Sequence, residues 1–154
     1  MACLKSTAIA KSSARTILDR QAAVVRLETG AQLTSIKDEL LIEGLQDEVS
    51  VAWVYSVTRA RHPSSPEVLR QLSIGIVAEL LAEELMVAGD LVDDGSCVVV
   101  RPWTESPGSA IVRIARAWVA DWPDTKPDLN SIAYLVSTDS GRIAGEAALA
   151  RSEQ

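Results

Sequence analysis

The chain has 154 residues, of which 47% are apolar and 23% charged, a composition typical of a globular domain and not of a disordered one. Its formal net charge of −6 is spread unevenly. Residues 1–32 carry five basic and two acidic residues, whereas the remainder carries 10 basic and 19 acidic residues. An acidic body repels phosphate backbones and attracts basic partners. No apolar run approaches the roughly 20 residues that a membrane-spanning helix needs.

The N-terminal segment and the two cysteines bear on location. Cys3 and Cys97 are too few for a disulfide framework and indicate a reducing, cytoplasmic setting. Three valines follow Cys97, which predicts a small, buried apolar side chain. The segment from Ala2 to Arg26 superficially resembles an organellar transit peptide but lacks the hydrophobic region and cleavage site of a secretory signal. We interpret residues 1–32 as a basic extension and residues 33–151 as the folded domain.

Three helices are predicted in the first half of the chain. Thr34 or Ser35 can cap a short helix that ends at Gly44. Residues 48–61 could form a strand by propensity, but the stop at Pro63 favours a helix. Apolar residues surround the axis of that helix, which places it in the core or in a dimer interface.

The third helix begins at the stretch SSPE. Ser65 can cap it, and Pro66 suits its first position. Apolar residues recur at near-helical spacing, and Gly89 predicts the end of a helix of about 23 residues. This helix is expected to be the longest element of the protein.

A hairpin, a helix, a strand and a last helix are predicted to follow. Asp94-Gly95 is a favoured two-residue turn, because both residues can adopt positive φ. An apolar stripe predicts an amphipathic helix over residues 107–122. The run IAYLV predicts a strand, after which Thr138 or Asp139 caps the last helix.

The aspartates Asp90, Asp93 and Asp94 crowd around two glycines and raise the question of a metal site. A calcium-binding EF-hand loop needs acids at positions 1, 3 and 5 and a Glu at position 12. Counting from Asp90, Val92 occupies the third position and Arg101 the twelfth, so the pattern fails. Turn formation explains these aspartates without a ligand, and we expect no metal and no cofactor.

Common catalytic motifs are missing from the sequence. It contains no Gly-rich phosphate loop, no GxSxG, no HExxH and no paired CxxC. The single histidine, His62, is expected at a helix end, where a cation is favourable. Trp103, Trp118 and Trp122 could line a small-molecule pocket, but the helical stripe places Trp118 and Trp122 in the core. We therefore predict that the protein is not an enzyme.

Two segments resemble parts of a winged-helix domain. The first, LRQLSIGIVAELLAEELMVAGDLVDDGSCVVVRPW, combines a long helix, a Gly-ended corner and a hairpin. The second, AYLVSTDSGRIAGEAALAR, is similar to the Y-x-L-T-x-x-G-R-x-A ending of winged-helix regulators. More narrowly, residues 45–151 resemble small actinobacterial-type proteins that share a Gly-Asp-Leu corner, a Pro-Trp after a hairpin, a Trp-containing helix and a closing Thr-x-x-Gly.

This resemblance implies an α+β, mainly α fold. It implies a winged-helix-like domain with an additional amphipathic helix, here at residues 107–122, and a small antiparallel hairpin. Winged helices usually suggest DNA binding. The charges of this chain favour a different partner, because acids dominate both the long helix and the hairpin tip.

We therefore predict non-catalytic recognition of a basic protein partner, with immunity- or antitoxin-like inhibition as the concrete version. The predicted binding residues form one acidic surface: Glu79, Glu83, Glu84, Asp90, Asp93 and Asp94.

The alternative is a winged-helix DNA-binding transcriptional regulator. Its basic patch would consist of Arg59, Arg61, Arg113, Arg116 and Lys126. The basic N-terminal extension could also follow a groove of the duplex. A homodimer is compatible with either function.

Overall fold

A computed structural model describes residues 35–121, 127–128 and 132–154. Within these residues the chain is α+β and mainly helical, with five helices and a four-stranded antiparallel sheet. The α+β, mainly helical prediction is thus confirmed. The extension at residues 1–32 lies outside the described residues, as do Trp122 and Lys126.

The sheet order places β2 between β4 and β3, with β1 on the far side of β4. Every neighbouring pair of strands is antiparallel. The β3 strand is therefore an edge of the described sheet. In chain order the elements are α1 (Ile36–Glu43), β1 (Val49–Ser50), α2 (Val51–Arg61), α3 (Pro66–Ala82), β2 (Met86–Asp93), β3 (Val98–Pro102), α4 (Pro107–Asp121), β4 (Tyr134–Ser137) and α5 (Asp139–Ser152).

The core forms where helices pack against the sheet. Trp118 of α4 is fully buried, and its ring centroid lies 6.1 Å from that of Tyr55 in α2. Met86 of β2 and Leu135 of β4 join the same buried cluster. Most of α2 is buried as well. Residues 51–61 are therefore a core helix, whereas residues 49–50 form the short β1 strand.

Helix starts follow the predicted capping chemistry. The Ser35 hydroxyl accepts a hydrogen bond from the Asp38 N–H, and the Ser65 hydroxyl accepts one from the Val68 N–H. The Thr138 hydroxyl caps α5 in the same way. These side chains satisfy backbone donors that the first turn of a helix leaves without partners.

The end of α3 differs from the prediction. The helix ends at Ala82, well before Gly89, because Glu84 takes a left-handed conformation with φ of 55°. That position after a helix usually belongs to Gly or Asn. Gly89 instead lies inside β2, where a Cβ would collide with the backbone carbonyl of Arg101.

Backbone hydrogen bonds stabilise this early stop. The Leu85 N–H donates to the Leu80 carbonyl, and the Glu84 N–H donates to the Leu81 carbonyl, both at 3.0 Å. This pair of bonds is the Schellman motif. The chain can then leave the helix and enter β2 directly, which lengthens the hairpin at the expense of the helix.

The hairpin loop also differs from the predicted two-residue turn. Asp93 pairs with Val98, and of the four residues between them only Gly95 has positive φ, at 86°. The Asp94 carboxylate accepts hydrogen bonds from the Cys97 N–H at 3.0 Å and the Ser96 N–H at 2.9 Å. Cys97 lies half-buried in this loop, so the prediction of a buried core thiol is wrong.

Replacing Glu84 with Gly should stabilise the fold by about 0.5–1 kcal/mol, because Gly adopts the left-handed conformation without steric cost. Ala82→Gly is the matched control, since it places Gly in a right-handed helical turn and should destabilise by about 1 kcal/mol. Urea unfolding followed by circular dichroism measures both free energies of unfolding. Destabilisation by both variants would contradict the assignment of strain to Glu84.

Candidate functional site

A cleft of about 470 Å³ opens where the end of α3 and the start of β2 meet the first residues of α4 and α5. Buried apolar side chains line its base, among them Leu81, Met86 and Ala110. Trp103, which follows β3, forms one wall. The volume lies within the range of roughly 300–1,000 Å³ that is usual for ligand sites.

Carboxylates surround this cleft. Glu84, Glu105 and Asp139 line it, and none of its lining residues is basic. Glu105 bonds to Arg113, and Asp139 bonds to Arg142, each at 2.8 Å. The side chain of Glu84 makes no hydrogen bond or ion pair with any described residue. The cleft thus combines an apolar base with an acidic rim.

Thr138 holds the α3–β2 corner against the start of α5. Its N–H donates to the Leu85 carbonyl at 3.1 Å, and its hydroxyl lies 2.7 Å from the Glu84 carbonyl. The same hydroxyl oxygen accepts the Gly141 N–H at 3.0 Å. A Cβ at Gly141 would collide with the Leu85 carbonyl. The close approach that shapes this side of the cleft therefore requires Gly at position 141.

Arg113 supports the Trp103 wall. Its guanidinium carbon lies 3.7 Å from the centroid of the Trp103 ring, a cation–π contact. The same guanidinium donates to Glu105 at 2.8 Å and lies 3.5 Å from Asp90. The Trp103 indole N–H is buried and has no hydrogen-bond partner in the described part of the chain. Arg113 thus orients the indole and partly neutralises the negative charges of Glu105 and Asp90.

The predicted acidic residues lie in separate places. Glu79 and Glu83 accept hydrogen bonds from Lys37 at 2.8 Å and 2.7 Å, on the outer side of α3. Glu84 lies at the cleft, before β2 begins. Asp93 ends the same eight-residue strand, so it lies more than about 20 Å from Glu84 at 3.3 Å per residue. The predicted single acidic surface is therefore divided between the end of α3, where Glu79, Glu83 and Glu84 lie, and the hairpin tip with Asp93.

Asp94 has a local role in the hairpin loop. The Ser96 hydroxyl and the N–H groups of Cys97 and Ser96 hydrogen-bond to its carboxylate and lower its pKa to about 2. These bonds order the loop in the way that aspartate commonly does in turns. Asp94 also remains exposed, so its negative charge contributes to the acidic hairpin tip.

The basic residues of the DNA-binding alternative do not form one free patch. Arg61 donates to Glu39 at 2.8 Å, and Arg113 is held beside Trp103. Arg59 on α2 and Arg116 on α4 are exposed and form no ion pair with a described residue. Two of the predicted phosphate contacts are therefore already occupied within the fold.

Metal-ligand clusters and membrane-spanning helices are both absent from residues 35–121, 127–128 and 132–154. Within them, no group of three or more His, Cys, Asp or Glu residues is arranged to hold a metal ion. No helix there has the length and apolar character needed to cross a membrane. Trp118 packs in the core, as predicted, and His62 caps the exposed end of α2.

Comparisons of the chain with protein-family models, with curated proteins and with solved structures found no match. Function is therefore inferred from the geometry and charge of the chain itself.

Several cleft residues were not predicted as site residues. Glu105 and Asp139 belong to segments far apart in the chain, and the fold brings both to the cleft that Glu84 lines. The Pro-Trp after the hairpin and the closing Thr-x-x-Gly were the available signals, because they contain Trp103, Thr138 and Gly141.

Replacing Thr138 with Val should lower the free energy of unfolding by about 1–2 kcal/mol, because the helix cap and the bond to the corner carbonyls are both lost. Thr138→Ser keeps the hydroxyl and should stay within about 0.5 kcal/mol of the parent protein. Chemical denaturation measures both values. An equal loss in the two variants would show that the hydroxyl does not hold the corner.

Proposed function

We propose that this protein is a non-catalytic recognition domain that binds a basic segment of a partner protein in the cleft. The observation that supports this proposal is the combination of an apolar base, a tryptophan wall, three carboxylates and no basic lining residue in the cleft. Lysine and arginine side chains have the complementary form, an apolar stem with a charged head. The stem would pack over Met86 and Ala110, and the head would approach Glu84 at the rim.

Immunity- or antitoxin-like inhibition of a basic protein is the concrete version of this proposal. The net charge of −6 would accelerate encounter with such a partner, and the gain would decrease as salt rises. The acidic outer side of α3 and the acidic hairpin tip extend this field beyond the cleft. They would contribute to the rate of association more than to contacts within the complex.

We further propose a winged-helix-like arrangement for residues 35–103. The supporting observation is the element order of helix, strand, two helices and a hairpin. α4 is the additional amphipathic helix, and β4 pairs between β1 and β2. The later elements therefore complete the sheet of this unit and supply two sides of the cleft.

This element order supports a second candidate, a winged-helix DNA-binding regulator. In that case α3 and the hairpin would face the duplex. The exposed part of α3 includes Glu67 and Glu79, and the hairpin tip carries Asp93 and Asp94. These groups repel phosphates where several basic contacts are normally needed. Charge therefore favours the protein partner.

A labelled peptide rich in arginine and lysine tests the cleft in the full chain. We expect salt-sensitive binding that Glu84→Lys weakens about tenfold, because a cationic group then meets a like charge. Asp93→Lys makes the same charge change at the hairpin tip and should have little effect at physiological salt, where screening acts over about 8 Å. Fluorescence anisotropy measures both affinities. Equal weakening by the two variants would indicate charge attraction without a cleft.

A titration with random-sequence duplex DNA at low salt separates the two candidate functions. We expect weak binding, because α3 and the hairpin tip are acidic. Tight binding that falls steeply with salt, and that is lost in the double variant Arg59→Glu, Arg116→Glu, would support the regulator instead.

A further inference from the structure

The outer edge of β3 forms a second candidate interaction surface. β3 pairs with β2 on one side, and no described strand pairs with its other side. Its residues 98–101 do not line the cleft. A free strand edge offers unpaired backbone groups to another strand, and proteins usually protect such an edge with charges, bulges or covering elements.

Two backbone hydrogen bonds determine which groups of β3 face outward. The Asp94 N–H donates to the Cys97 carbonyl at 3.2 Å, and the Trp103 N–H donates to the Ala88 carbonyl at 2.8 Å. Hydrogen-bonded pairs alternate along an antiparallel ladder, so residues 97, 99, 101 and 103 face β2. The N–H and carbonyl groups of Val98 and Val100 therefore point away from the sheet.

The side chains of this edge are apolar over three successive residues, Val98, Val99 and Val100. Val99 is 38% exposed, and Leu91, which pairs with Val100, is 37% exposed. Pro102 lies at an outward position, where its missing N–H does not interrupt the pairing with β2. The three valines leave the middle of this edge without a protecting charge.

We propose that two copies of the chain join along β3 in an antiparallel, two-fold arrangement centred on Val99. In this register Val98 of one copy pairs with Val100 of the other. All outward N–H and carbonyl groups of these two residues are then used, which gives four hydrogen bonds. Two-fold symmetry of this kind is the commonest arrangement in homo-oligomers.

Other registers leave some outward hydrogen-bonding groups of Val98 or Val100 without a partner. Centring on Val100 sets Pro102 opposite Val98, and Pro102 has no N–H to donate. Centring on Val98 sets Val100 opposite Ser96, which lies in the loop and outside the strand. A two-fold axis placed between two neighbouring residues would set the outward N–H and carbonyl groups of one copy opposite residues of the other copy whose groups face β2.

Charge complementarity favours the β3 strand of a second copy as the partner of this edge. In the register centred on Val99, Arg101 lies opposite Cys97 of the second copy. The Asp94 carboxylate lies beside that residue, because it accepts the Cys97 N–H at 3.0 Å. Arg101 is exposed and forms no ion pair with a described residue. The two-fold axis therefore creates two equivalent ion pairs, each between Arg101 and the other copy's Asp94.

Cysteine cross-linking of the full chain tests this register. Cys3→Ser and Cys97→Ser remove the native thiols, and Val99→Cys then places one thiol on the two-fold axis. Opposed residues of a non-hydrogen-bonded pair have Cα atoms about 4.5 Å apart, within disulfide range. We expect a covalent dimer after mild oxidation, read on a non-reducing gel.

Val98→Cys and Val100→Cys in the same background are the matched controls. Each would lie about 9 Å from its counterpart, beyond the range of a disulfide. Failure of the folded Val99→Cys variant to cross-link, or equal cross-linking of all three variants, would overturn the proposed register. Circular dichroism checks that each variant is folded.

Val100→Pro is an independent test that does not depend on thiols. It removes an outward N–H that β2 does not use, so the protein should fold. Two hydrogen bonds are lost across the axis, which should weaken self-association about 30-fold. Light scattering over a dilution series measures the masses. A parent protein that stays monomeric, or a variant that dimerises as well as the parent, would contradict the proposal.

Discussion

The contact between the start of α5 and the corner between α3 and β2 controls the rest of this structure. Gly141 allows the helix to meet the Leu85 carbonyl at a distance that any side chain would prevent. Thr138 then bonds to the carbonyls of Glu84 and Leu85. Because β4 immediately precedes this cap, the same contact aligns β4 beside β2 and closes the centre of the sheet. The cleft is a direct product of this junction.

The corner also connects stability with the proposed function. Glu84 holds a left-handed conformation that Gly would adopt at lower cost. Backbone strain of this kind tends to accumulate at functional sites, where the surrounding structure maintains it. A carboxylate at this position gives the cleft an acidic group without a partner among the described residues. The backbone strain and the proposed binding role thus belong to the same residue, Glu84.

The cleft and the β3 edge would act together in a dimer. Two copies joined along β3 would carry two clefts related by the two-fold axis. A partner with two basic segments would then bind with an affinity greater than that of either cleft alone, provided that its spacing matches. Arg113 connects the hairpin to the cleft, because it contacts both Asp90 on β2 and the Trp103 wall.

Local chemistry made many elements predictable from the sequence. Ser35, Ser65 and Thr138 cap their helices as predicted, because capping depends on a few neighbouring residues. The apolar stripe of α4 placed Trp118 in the core for a similar reason, since helical periodicity decides which side is buried. The binding role of Glu84, predicted from charge alone, stays a prediction.

Interactions between distant segments decided the rest. The sequence pattern predicted that α3 ends at Gly89, but the Schellman motif at Glu84, together with the Thr138 hydroxyl bonded to the Glu84 carbonyl, ends the helix earlier. The sequence by itself determined where most helices begin, which residues are apolar and that the body is acidic. Only the tertiary structure decided the strand order, the division of the acids and the placing of Glu84, Glu105 and Asp139 around one cleft, because each depends on contacts between residues far apart in the chain.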